Sequence, residues 1–199
     1  MKLLPSVRSD LKRQATVLSL SGLEAAIQPL ENSMSETAVY SETKPEVVYR
    51  SRVQVEAKSG GIKMIHLPIE SEPVPMGMHG PIAAHYKIPE GKFTPHASTL
   101  DYVVGATAGC LMGTLNRALQ VRKIATDGDR LKAEAIGELE VEDGVLVIRR
   151  IRMVVSLKAE ESQRETAQRT IEVYAMSCPV YRSLYKAIDI TTELNFQSV

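Results

Sequence analysis

The apolar positions of this 199-residue chain follow patterns that change along its length, and each pattern predicts an element. From Val47 the period is two: Val47, Tyr49, Val53 and Val55 share one side, while Arg50, Arg52, Gln54 and Glu56 share the other. Such alternation predicts a strand, and Gly60-Gly61 turns it into a second run over residues 62 to 69, giving a hairpin. Residues 131 to 141 and 145 to 157 alternate in the same way and are joined by Glu142-Asp143-Gly144, a second hairpin. Residues 188 to 196 predict a closing strand.

Between the hairpins, residues 99 to 122 are apolar on a helical spacing. They are entered through Ser98-Thr99-Leu100-Asp101, which resembles a capping box with Asp in place of Glu. Gly105, Gly109 and Gly113 recur every four residues and so lie along one stripe of that helix, where another element can approach closely. Residues 160 to 176 predict a helix with Ala167, Ile171, Tyr174 and Ala175 on one side. Pro179 opens a further helix over residues 180 to 187, because its missing N–H has no helical partner in a first turn anyway. Residues 70 to 96 hold five prolines and predict a long irregular loop. From residue 46 the order is therefore β-β-α-β-β-α-α-β, with hairpins and helices segregated. That order predicts an α+β fold, its antiparallel sheet wrapped around the long central helix.

Upstream the pattern is weaker. The stretch 15 to 27 predicts an amphipathic helix ending near Pro29, and residues 31 to 44 are rich in Ser, Thr and Glu, as a linker would be. Residues 1–45 are thus expected to form an arm and residues 46–199 the folded domain.

Composition narrows the function. Lys plus Arg and Asp plus Glu both number 24, so no net field draws the chain to nucleic acid or anionic lipid. Residues 102 to 116 form the longest uncharged run, shorter than the ~20 apolar residues of a membrane-spanning helix. No secretory apolar stretch follows Lys2, which makes the cytoplasm the expected compartment.

Chemistry rests on the two cysteines. Cys110 lies within the apolar helix, where a thiol behaves as a small hydrophobe. Cys178 stands between two helices and before Pro179, where a helix N-terminus favours the thiolate. Neither belongs to a Cys-x-x-Cys pair and no His stands at metal-ligand spacing from either, so no metal or cofactor is expected. His66, His79, His85 and His96 all precede the helix; if one reached Cys110, a thiol hydrolase would be the outcome.

The segment from Leu100 through Asp101 and Ala108-Gly109 to Cys110 resembles the first signature of the OsmC/Ohr family: an acid, a helix rich in small residues, then cysteine. Cys178-Pro179-Val180-Tyr181-Arg182-Ser183-Leu184 resembles that family's second signature, Cys-Pro-Val-x-Arg-x-Leu. The resemblance implies an OsmC-like intertwined homodimer that reduces organic hydroperoxides in oxidative-stress defence. In that scheme Cys110 is peroxidatic, Cys178 is resolving, and a dithiol reductant reopens the disulfide between them. It further implies an Arg that stabilises the thiolate and an acid that holds the Arg. The family's Glu lies ten residues before the cysteine, where this chain has Leu100; its acid is Asp101, nine before. Arg52 is the preferred arginine, with Arg50 and Lys58 behind it. Arg182, on the same helix side as Cys178, is a source of positive charge for that cysteine or a surface partner of Asp189 or Glu172. The alternative is a non-catalytic OsmC-like module that binds an apolar ligand or partner, with both cysteines as core residues.

Overall fold

A computed structural model describes residues 46–199; the helix and linker expected within residues 1–45 lie outside the described residues. The first hairpin pairs β1 (Gln54–Ala57) with β2 (Lys63–His66), Gln54 opposite His66 and Ala57 opposite Lys63. Gly60 and Gly61 both take positive φ in the turn, a backbone that a side chain would strain. Both strands are shorter than their sequence alternation. Residues 46 to 53 are exposed and outside any strand, because no neighbouring strand meets them within the chain.

The proline-rich segment is more ordered than a loop. Val74–Met76 forms β3 on the edge of this sheet, antiparallel to β2, an edge being where Pro75 is tolerated. Gly80–His85 forms α1, with Pro81 in its first turn. The rest folds back so that the Phe93 ring lies against the Gly60 turn.

Helix α2 (Thr99–Val121) opens with the predicted box: Ser98 Oγ accepts from the Asp101 backbone N–H while the Asp101 carboxylate accepts from the Ser98 backbone N–H. Thr107, Leu111, Leu115 and Leu119 form its buried face. The glycine stripe faces the other way, and nothing lies within 4 Å of a Cβ built at Gly105, Gly109 or Gly113.

The second sheet holds β4 (Leu131–Glu142), β5 (Val145–Ala159) and β6 (Asp189–Ser198) in that order. Asp143 and Gly144, both at positive φ, make the tight turn of the β4/β5 hairpin. Along β5, Ile151, Met153, Val155, Leu157 and Ala159 alternate into the core. The sheet is mixed, because β6 runs parallel to β5, Arg150 opposite Asp189 and Ala159 opposite Ser198. A parallel neighbour needs a crossover rather than a turn. Here the crossover is α3 (Arg164–Val173), flanked by two short 3-10 turns, and then α4 (Pro179–Leu184). The predicted helix over residues 160 to 176 is thus one α-helix with tightened ends.

Ala167, Ile171 and Tyr174 close the core over the α2 leucines and the inner face of β5. Each fully buried Leu, Ile, Val or Met of this core contributes about 1.5 to 3 kcal/mol relative to exposure. The β1–β3 sheet has no comparable core: all of β1 is exposed, including Val55.

Candidate thiol site

The core brings together two cysteines that lie 68 residues apart in the chain. Cys110 lies midway along α2, half-buried, and Cys178 is fully buried at the N-cap of α4. The local sequence explains the second position. After α3 the chain tightens into the turn Tyr174–Ser177, and Cys178 donates its backbone N–H to the Ala175 carbonyl at 2.9 Å. Pro179 then starts α4 with Cys178 in extended conformation, the geometry of an N-cap.

Both cysteines are free; Cys178 belongs to the core cluster and Cys110 packs against it, close enough for the two thiols to influence each other. Burial pushes the Cys110 thiol up from its ordinary range. The backbone N–H of Val180, in the first turn of α4, pulls it back down, and the hydrogen bond and charge of Cys178 add to the rise. The net direction is upward. Cys178 stands at the N-terminus of α4, where the sequence places it, and the first-turn N–H of the same helix acts on Cys110.

The other predicted residues stand elsewhere. Nine residues of helix separate Asp101 from Cys110, about 13 Å along the axis. Asp101 closes the α2 cap, and its Oδ2 also lies 2.7 Å from His79 Nε2. Burial pushes this carboxyl up, but the Ser98 and His79 hydrogen bonds outweigh it and hold the carboxyl below the usual range. Arg52 is exposed and precedes β1 rather than lying within it. Lys58 is paired with Glu56 at 2.5 Å, and Arg182 is exposed. Among the described residues no cation and no histidine acts on the Cys110 thiol. Two of the loop histidines are engaged elsewhere, His79 with Asp101 and His85 with the Gly144 carbonyl at 3.0 Å. This is not the arrangement of a Cys-His hydrolase.

Sequence reasoning did not find His79 or the Val180 N–H. His79 is 22 residues from its partner, and only the fold of the proline-rich segment brings it to the α2 cap. Among the described residues no group of three or more His, Cys, Asp or Glu is placed to hold a metal ion. No helix there is long and apolar enough to cross a membrane.

Comparison with known proteins agrees with this architecture. The chain is similar in structure to an OsmC-like protein from Mycoplasma pneumoniae, with a TM-score of 0.59, 13% identity and coverage of 75% of this chain and 99% of that one. It is similar to the organic hydroperoxide resistance protein OhrB of Bacillus subtilis, with a TM-score of 0.54, 16% identity and coverage of 75% and 100%. An organic hydroperoxide resistance protein from Elizabethkingia anophelis, with crystallant-derived thiocyanate bound, gives 0.56, 15%, 78% and 100%. At these identities the likeness is one of fold. No curated protein matches the chain in sequence. The family model described as OsmC-like protein matches residues 90–193, a span that takes in α2, both cysteines and most of the β4–β6 sheet. That span is more than half of the chain, which therefore belongs to the OsmC-like family.

Proposed function

We propose that this protein is a thiol peroxidase of the cytoplasm that reduces organic hydroperoxides, with Cys110 peroxidatic and Cys178 resolving. The observation that carries the reading is that the fold seats Cys178, at the N-cap of α4, in the core cluster against which Cys110 of α2 packs. The Cys110 thiolate attacks the outer oxygen of the hydroperoxide; an S–O bond forms as the O–O bond breaks, and the departing alkoxide takes a proton to leave as the alcohol. Cys110 is then a sulfenic acid. Cys178 attacks that sulfur, an S–S bond forms and water departs. A dithiol reductant reopens the bridge by exchange and is itself oxidised to a disulfide.

A cation beside Cys110 would lower its pKa, and the same reading gives that part to Arg52, with Asp101 as the supporting acid. Within one chain neither touches the thiol, so the reading includes a homodimer in which a second copy completes the site. The exposed apolar residues of β1 and the open glycine stripe of α2 support it. A second reading, a non-catalytic module binding an apolar ligand or partner, is favoured by one observation: burial and Cys178 raise the Cys110 pKa.

Anaerobic mixing of the reduced protein with cumene hydroperoxide, followed by thiol counting, separates the two. The peroxidase loses both thiols of each chain; an unchanged thiol count sinks that reading and leaves the binding module.

A further inference from the structure

Beside the cysteine pair, α2 and α3 border an open surface hollow of about 430 Å³, within the usual size range of small-molecule sites. Its walls combine an apolar surface from Ala118, Val121 and Val173 with two guanidinium groups, Arg117 and Arg122. No carboxylate lines it. Elsewhere in the domain Arg149, Arg150, Arg164 and Arg169 are each paired with glutamate. Among the described residues Arg117 and Arg122 make no such pair; Arg122 instead donates to the Ala118 carbonyl at 2.8 Å, which uses one N–H and fixes the group at the end of α2. The remaining N–H groups form a planar fork that matches a carboxylate.

The hollow also adjoins the thiols. Thr114, on its wall, donates its hydroxyl to the Cys110 carbonyl at 3.0 Å, and Ser177, on the opposite side, directly precedes Cys178.

We propose that this hollow binds a small amphipathic monocarboxylate, its carboxylate held by Arg117 and Arg122 and its apolar part laid on Ala118, Val121 and Val173. Two positive groups without an acid attract one anion, and the apolar wall adds affinity only for a ligand that carries a tail. The site goes beyond the peroxidase reading, because binding the carboxylate needs no turnover at Cys110.

The test is isothermal titration of the reduced full-length protein with octanoate, using 1-octanol as the uncharged control. Octanoate is expected to saturate one site per chain and to bind roughly tenfold more tightly than octanol. Arg117→Gln should weaken octanoate by roughly tenfold and leave octanol unchanged, while Arg117→Lys retains part of the difference. Val173→Glu places a carboxylate in the hollow at an exposed position and should also weaken octanoate alone. Equal binding of octanoate and octanol, no saturable octanoate binding, or an unaltered Arg117→Gln variant overturns the proposal. Peroxide consumption is measured separately on the same samples; its absence with octanoate binding intact would count against the peroxidase alone.

Discussion

Cys110 and Cys178 were visible in the sequence as a pair of signatures, but their relation is a matter of side-chain geometry. If Cys110 is the nucleophile, Cys110→Ser abolishes peroxide consumption, because Cys178 is fully buried and has no route to attack. Cys178→Ser allows one turnover and leaves a sulfenic acid that excess peroxide drives to sulfinic acid. Mass spectrometry then finds added oxygen on Cys110 in the second variant and none on Cys178 in the first; reaction of both variants like the parent contradicts the assignment. The pKa direction gives a separate expectation. With burial as the largest cause and Cys178 adding to it, alkylation of Cys110 by iodoacetamide should still be accelerating as pH passes about 8.5, the ordinary thiol value. Cys178→Ala removes both contributions of that residue, so its profile moves to lower pH; an unmoved profile means that the two thiols are not coupled. The sign for stability follows from the same shift. A folded-state pKa above the unfolded one contributes stability that is complete below the unfolded pKa and is lost as pH rises through the folded pKa. Asp101 was legible as a capping residue, whereas its bond to His79 was not, since a contact across 22 residues leaves no local pattern.

At the scale of elements, the clearest signals were those with a long period. Helix α2 was predicted within one residue of its observed end because its cap and its apolar spacing agree. The β4/β5 hairpin follows from period-two alternation and a turn that needs positive φ, with one register shift between Glu138 and Leu139. Short elements such as β3 and α1 were hidden by prolines, which are tolerated on an edge strand and in a first turn but count against both in a local reading. Gly137 shows what a single position in an element can decide. A Cβ there would stand 2.5 Å from Val104 Cγ2, a methyl that a β-branched side chain cannot easily swing away. Gly137→Ala gains about 0.4 to 1 kcal/mol through the unfolded chain but loses about 1 to 3 kcal/mol to overpacking, so the thermal midpoint should fall. A midpoint at or above that of the parent would show that α2 and β4 have slack between them.

For the whole molecule, the open glycine face of α2 and the exposed β1–β3 sheet make one expectation. Within a single chain the Cβ of Gly109→Leu meets open space and the substitution gains helix propensity. In a homodimer that uses this face, the added side chain blocks close approach. Sedimentation should then show the parent as a dimer and Gly109→Leu at the 21.9 kDa of one chain. A parent that already sediments as a monomer removes the dimer, and a variant that stays dimeric moves the interface off the glycine stripe.

The sequence by itself determined the α+β class, the central helix, the long hairpin and the two cysteine signatures, because each is written in local spacing: period two, period 3.6, a cap, a turn. The tertiary structure alone decided that β6 joins β5 in parallel, since strand direction depends on how the crossover through α3 and α4 returns the chain and not on the strand's own residues. It alone decided that the first turn of α4 acts on Cys110, that His79 reaches Asp101, and that Arg117 and Arg122 share a hollow with Val173 and Ser177. Each of these joins groups distant in sequence, and local propensity carries no information about which distant groups close packing will bring together.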